Sequence, residues 1–376
     1  MQTNTNNMKL HRTLSLIVGT ALAMTTLAQQ PRIVVQGSGD PHIFTSLADA
    51  IAGAQANDVV YCSGGTFAFT GGLVINKPLH FIGAGFHPDS TLATGATVFF
   101  RQGNTEPLRI SQAASGSTFT GIDFSSSSNV FNHWLIAYGT DASDDLTTDI
   151  LFHRCRFGTG SVRLGSNTAP DAPLHPELIT TFDECQIHAA VNGVGRSAVV
   201  TRCIFDAKGT NVYALGGFNG ASLTVQNCVF LGAMMNTCAG SQVSNCIFTG
   251  NGNQYDKLCM DCAGGTISNT LKGFADLAYY NPQPATMNVL QVDPATLFVS
   301  ETDHNYQFTD DLHMAAGSTG TGFGTDGNDV GIYGSTSPYK PGGVPFNPHF
   351  RQANIAPATN SSGALPVNLK VAAQQH

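Results

Sequence analysis

Two stretches of the chain concentrate side chains that could recognise a charged carbohydrate. Residues 125–150 hold His133, Trp134, Tyr138, Asp141, Asp144, Asp145 and Asp149, and Trp134 is the single tryptophan of the sequence. Residues 158–181 hold Arg163, Asn167, Asp171 and His175 among three prolines. Trp134 and Tyr138 offer flat apolar faces of the kind that stack on sugar rings, and Arg163 and His175 could contact a uronate carboxylate. Asp144, Asp145 and Asp171 could instead hold a Ca²⁺ that bridges to the same group. The competing reading is an insertion held down by its own side chains, with Trp134 as the anchor, since long connections are either functional or disordered. A third candidate is Asp326, Asn328 and Asp329, oxygen ligands for Ca²⁺ that lack the loop spacing and bidentate Glu of an EF-hand. Against it stands a turn in which the Asp side chains accept backbone N–H groups. Cys259-Met-Asp-Cys262 is a lone C-x-x-C, read as a local disulfide or a free pair because no thioredoxin-like βαβ pattern surrounds it. No Gly-rich phosphate loop, zinc spacing or G-x-S-x-G nucleophile phrase occurs.

The elements that must position these residues are repeats. VVTRCIF, LTVQNCVF and SQVSNCIF between Val199 and Phe248 are three copies of one phrase; FHRCRF, FDECQI and the degenerate ISNTLKGF are looser ones. The marker positions are Cys155, Cys185, Cys203, Cys228, Cys246 and Thr270, giving steps of 30, 18, 25, 18 and 24 residues. A period near 20 with variable insertions marks a solenoid, in which each repeat buries its apolar face against its neighbours. In LTVQNCVF the alternation of Leu223/Val225 and of Cys228/Phe230 differs in parity. One short strand therefore ends at Gln226-Asn227 and another begins after a bend. Asn tolerates the left-handed conformation such a bend needs, so Asn227, Asn245 and Asn269 are expected to share a corner. A second column, Cys238-Ala-Gly and Cys262-Ala-Gly, lies seven residues before Asn245 and Asn269. Cys, Phe and Asn should each form ladders, with the cysteines acting as small buried hydrophobes.

The phrase V-x-N-C-x-F at coil lengths of 18–25 resembles the right-handed parallel β-helix of the pectin-lyase-like superfamily, over most of the chain. The resemblance implies an all-β, single-stranded right-handed parallel β-helix, with a corner Asn ladder and an interior of Cys and Phe. FTSLADAIAGAQANDVVYCSGGTF is similar to the N-terminal cap and first coil of that superfamily; Ser46 and Asp49 form a capping-box-like pair, and Leu47, Ile51 and Ala54 follow at helical spacing. GTDGNDVGIYG resembles the closing coil of bacterial surface β-helix proteins. The pectin-degrading relatives also imply tests for chemistry. The hydrolases carry N-T-D, D-D, G-H-G and R-x-K motifs and work with paired carboxylates. Here D-D occurs twice, at Asp144-Asp145 and Asp310-Asp311, and the other three are missing. The strand-borne carboxylates and R-x-P-x-x-R phrase of the lyases are missing too. Arg156, Gln186, Ile204, Val229 and Ile247, beside the ladder cysteines, pass from polar to apolar and make no carboxylate-lined groove.

The organisation expected is a signal peptide at 1–28, an N-terminal strand and capping helix at 29–58, the β-helix at 59–334 and a Pro/Gly-rich tail with a last strand at 335–376. The signal carries two of 17 basic residues and none of 25 acidic ones, so residues 29–376 have 15 minus 25, a net charge of −10. That balance disfavours nucleic acid as a partner, and no stretch is long enough to span a membrane. Nine cysteines leave at least one thiol unpaired. The chain is therefore expected to be secreted and non-catalytic, a surface or matrix component or a polysaccharide-binding protein. It needs no cofactor beyond possible Ca²⁺, and its tail is suited to a partner protein. The alternative is a polysaccharide lyase or glycoside hydrolase acting on acidic polysaccharide through an unrecognised active site.

Overall fold

In the computed structural model the described residues are 31–103, 106–127, 134–166, 174–206, 213–250, 257–275, 286–301, 303–346 and 348–373. The expected signal peptide, His133, Asn167 and Asp171 lie outside them. The chain is all-β and built from parallel strands stacked in three columns, an arrangement consistent with a β-helix solenoid. The first column runs from Val59–Cys62 through His80–Ile82, Thr118–Thr120, Ile150–His153, His175–Asp183, Arg196–Thr201, Leu223–Gln226, Gln242–Ser244 and Thr266–Lys272 to Thr286–Gln291. The second begins at Gly65–Phe69 and reaches Ile247–Gly250, and the third runs from Val74–Ile75 to Cys259–Met260. The chain visits the columns in turn, so a strand pairs with its equivalent about one repeat away.

Register follows the phrases. Phe81, Phe119, Phe152 and Phe182 align in the first column, and successive rings stack at 5.0–5.2 Å between centroids. Phe205, Phe230 and Phe248 align in the second at 4.5 and 4.1 Å. At the corner between these columns Cys155, Cys185, Cys203, Cys228 and Cys246 are fully buried, inside the core that the Phe ladders fill. The N–H of Cys203 donates to Cys228 Sγ at 3.4 Å and that of Cys228 to Cys246 Sγ at 3.5 Å, so the thiols stack coil upon coil. Burial pushes the Cys155, Cys203 and Cys246 thiols well up, as expected of packing groups rather than nucleophiles.

The residue before each ladder Cys makes the bend. Asn227, Asn245 and Asn269 have φ of +54°, +56° and +45°, the left-handed conformation that the parity slip predicts. At the N-terminal end, Ile33–Gln36 pairs antiparallel with both His42–Phe44 and Val59–Cys62. The short helix Leu47–Gly53 contacts Ile33–Gln36, His42–Phe44 and Gly65–Phe69, with Leu47, Ala50 and Ile51 buried and Ser46 accepting the Asp49 N–H.

The described residues of 292–346 add no strand to the stack. They run over the outer side of the second column, where Leu297, Phe298, Leu312, Val330, Ile332 and Tyr339 form a second core with Ile204, Val229, Leu231, Ile247 and Leu271. The drift toward apolar residues beside the ladder cysteines has this cause: the outer face is covered. The phrase 324–334 forms turns on the outside instead of the closing coil its sequence resembles. Finally, His349–Ile355 and Val367–Ala372 form an antiparallel hairpin, separate from the other sheets, where the sequence suggests one last strand.

Candidate functional site

Two of the four expected sugar-contacting residues come together. Trp134 opens the third-column strand Trp134–Tyr138, which pairs with Ser161–Arg163, and the Arg163 guanidinium lies over the Trp134 ring at 5.3 Å. Both are half-buried. Such a stack is worth about 0.5–1 kcal/mol where solvent reaches it. Arg163 Nε donates to the Ser166 carbonyl at 3.1 Å, which fixes the guanidinium. Beneath it, Asp145 accepts the Ser166 N–H and an Arg196 Nη2–H, each at 2.5 Å. Burial lowers the Arg163 pKa, Asp145 raises it and Arg196 lowers it, so the three charges sense one another.

Tyr138 is a correction. It is only 1% exposed, and its hydroxyl meets Thr180 Oγ1 at 3.0 Å in the interior. Tyr138 pairs with the buried Ile110 in the third column, and a register shift separates Trp134 from Ile136. In an uninterrupted strand residues 134, 136 and 138 share one face, but the shift leaves Trp134 on the outer side and Tyr138 within. Tyr138 therefore presents no face to a sugar. His175 lies in the first-column strand beside Arg196, where its Nδ1 meets Glu177 Oε1 at 2.8 Å.

The carboxylates offered for Ca²⁺ are used locally. Asp144 accepts the Gln112 N–H at 2.8 Å and the Thr140 N–H and hydroxyl at 2.9 Å. Asp145 is bound by Arg196, as above. Asp326 accepts the Asn328 backbone N–H at 3.2 Å and its side-chain N–H at 2.8 Å, and Asp329 accepts the Gly322 N–H at 3.0 Å. This is the turn geometry weighed against cation binding from the sequence. Cys259 and Cys262 are joined as a disulfide, with the buried Cys238 next to them.

A further polar constellation among the described residues was not singled out from the sequence. At the upstream corner positions stand Arg154, Glu184 and Arg202, with φ of +52°, +53° and +52°. Arg154 Nε donates to Glu184 Oε2 at 3.0 Å, Arg202 Nη2 to Asp183 Oδ1 at 2.5 Å, and His153 Nδ1 meets Asp183 Oδ2 at 3.1 Å. Arg154 is fully buried, Glu184 nearly so, and the segment around Val344 seals them. Arg154 Nη1 donates to the Val344 carbonyl at 2.8 Å, the Lys340 N–H donates to Glu184 Oε2 at 3.0 Å, and Phe346 lies over Arg154 at 4.1 Å. His153, Asp183 and Glu184 bring ligand atoms within 4.8 Å of one another. Two arginines already neutralise the two carboxylates, so the group offers a divalent cation little net charge. The alternation of sign was legible as the residue before Cys in FHRCRF, FDECQI and VVTRCIF. What it pairs with was not.

Among the described residues no helix is long and apolar enough to cross a membrane. Comparison with known protein families and with curated proteins finds no match to this chain.

Proposed function

We propose that the chain is an exported right-handed parallel β-helix protein of the pectin-lyase-like kind, capped by the helix Leu47–Gly53. In this reading it serves without catalysis, as a surface or matrix component that binds acidic polysaccharide. One observation supports the non-catalytic reading above others. Four carboxylates of the strands, corners and first long insertion are paired with arginines: Asp123 with Arg156, Asp145 with Arg196, Asp183 with Arg202 and Glu184 with Arg154. Hydrolysis of a glycosidic bond requires one carboxylic acid and one carboxylate free to act across it, and each of these four is engaged by a guanidinium group. Trp134 and Arg163 are the part of the surface suited to a uronate: an aromatic edge beside a fixed, half-buried guanidinium.

The test is retention on a glycan array of acidic polysaccharides, run beside assays for new reducing ends and unsaturated products. Retention without either product is expected. Arg163→Ala should weaken it by about tenfold to a hundredfold, the worth of one charge-assisted hydrogen bond, with a melting temperature lowered by only a few degrees, as loss of the Trp134 stack predicts. Release of either product would overturn the non-catalytic reading. Equal retention by Arg163→Ala and wild type would remove this site.

A further inference from the structure

The hairpin His349–Ile355/Val367–Ala372 has two unlike faces. Its register pairs Ile355 with Val367, Ala353 with Leu369 and, across an irregularity at Arg351, Phe350 with Val371. Alternation places these six residues on one face and Gln352, Asn354, Asn368 and Lys370 on the other. The apolar face is open to solvent: Ile355 is 61% exposed, Val371 58%, Val367 51%, Leu369 48% and Phe350 45%. A two-stranded hairpin is marginal in water unless a further layer covers its apolar side. Phe350, at its base, lines a cleft with Tyr61, Ile82 and Pro345, but over Ile355, Val367, Leu369 and Val371 no such layer stands among the described residues, and an exposed apolar face of this kind marks an interaction site.

We propose that this face is a homodimer interface, the hairpin of one copy packing its apolar face on that of a second copy of the chain. Three features point to a second copy as the occupant. First, the required layer is a sheet of equal width with the same apolar residues, and sheets pack face to face at about 10 Å. Second, the face is self-complementary. A two-fold axis through its centre brings Leu369 of one copy over Ala353 of the other, large against small, as an isologous interface demands. Third, the area fits: five half-exposed apolar side chains from each of two copies remove on the order of 1,000 Å² from water, the lower end of specific interfaces. The charges of the hairpin, Arg351 and Lys370, are both positive, and residues 347–376 contain no acidic residue. Two hairpins therefore repel weakly, and salt should strengthen their association, whereas docking on an anionic surface would be weakened by salt.

The experiment is sedimentation of the full chain across concentration and salt, with Leu369→Asp on the apolar face and Lys370→Glu on the polar one. The wild type is expected to dimerise in the micromolar range, unaffected or tightened by salt. Leu369→Asp should raise the dissociation constant by at least about tenfold, and Lys370→Glu should leave a dimer. Because Leu369→Asp could open the hairpin, a spin label at Asn368→Cys, on the polar face, supplies a second reading. A discrete inter-copy distance confined to the dimer supports the interface, and labels that sense no second copy overturn it. A wild type that stays monomeric at about 100 µM, a Leu369→Asp dimer as tight as wild type, or a dimer that salt dissolves would each overturn it as well. Recruitment of a monomeric chain to anionic vesicles would do the same.

Discussion

Replacing Cys228 by Asp puts the inner register to a quantitative test. Cys228 is fully buried; its Sγ donates to the Gln226 carbonyl at 3.3 Å and accepts the Cys203 N–H at 3.4 Å. A carboxylate there would face one weak donor, backbone carbonyl oxygen and two neighbouring thiols. Burial without a counter-charge raises a carboxyl by roughly 3–5 units above its unfolded value of about 3.9. The sign comes from linkage. Below about pH 4 the variant carboxyl is protonated in both states and costs only its misfit. Between about pH 4 and 7 the unfolded chain ionises and the folded one does not, so each unit removes about 1.4 kcal/mol, or ~4 kcal/mol by pH 7. Cys228→Ser keeps a donor for Gln226 and should cost about 1 kcal/mol at both pH values. Urea unfolding of both variants and wild type at pH 4 and pH 7 measures these differences. An Asp variant with the wild-type midpoint at pH 7, or with a deficit that does not grow with pH, would refute an inward Cys228.

Two further perturbations probe the corner. Asn245 Nδ2 donates to Thr325 Oγ1 at 3.2 Å and its Oδ1 accepts the Thr325 N–H at 2.9 Å, in a residue at φ +56°. Asn245→Ala should lose about 2–4 kcal/mol, from two hydrogen bonds plus left-handed strain. Asn245→Gly should lose the bonds without the strain; equal midpoints for the two would contradict this division. Burial tends to raise the Asp183 pKa, but hydrogen bonds from His153 and Thr201 and the Arg202 charge outweigh it and hold the carboxyl below its ordinary value. That stabilisation is present above the unfolded pKa of about 4 and lost as pH falls through the lower folded value. Asp183→Asn should therefore flatten the acid side of the stability profile below about pH 4, and a wild-type profile in the variant would count against the assignment.

Sequence legibility depends on the range over which the determining contact acts. The Phe and Cys ladders were legible because a strand's neighbour is its own repeat, so V-x-N-C-x-F states both partners at once. The bend was legible because the parity of LTVQ and CVF cannot be reconciled on one straight strand, and Asn227 takes the left-handed turn that reconciles them. Tyr138 was misread because residues 125–150 read as one long insertion, whereas 134–138 form a third-column strand in which Tyr138 pairs with the buried Ile110. WLIAY carries neither the Cys nor the Asn of the repeated phrase, so nothing in it announces a strand of the stack. The cover was illegible for another reason: Asn227 reaches the Gly331 carbonyl across 104 residues. Contacts of that span leave no period, only the unexplained apolar character of Ile204, Val229 and Ile247.

The corner shows why its residues depart from the one best suited to a left-handed bend. Glycine adopts that conformation without strain, whereas Arg154, Glu184 and Arg202 each bear a cost of roughly 1–2 kcal/mol. What they gain is attachment. Asn269 Nδ2 donates to the Phe323 carbonyl at 2.7 Å, Asn227 Nδ2 to Gly331 at 3.2 Å and Arg154 to Val344 at 2.8 Å, while Glu184 accepts from Lys340 at 3.0 Å. The line of bends is thus the line along which residues 323–344 are fastened; Arg202 differs, its guanidinium turning to Asp183 within the corner itself. Gly121 is the corner that fits the rule from the opposite side. Its φ is +69°, and a Cβ there would come within 3.0 Å of Pro345, so the segment lies directly on the backbone and leaves no room for a tether. At Gly121, as at Arg154, Glu184 and the asparagines, the corner residue answers to the distance of the chain that crosses it.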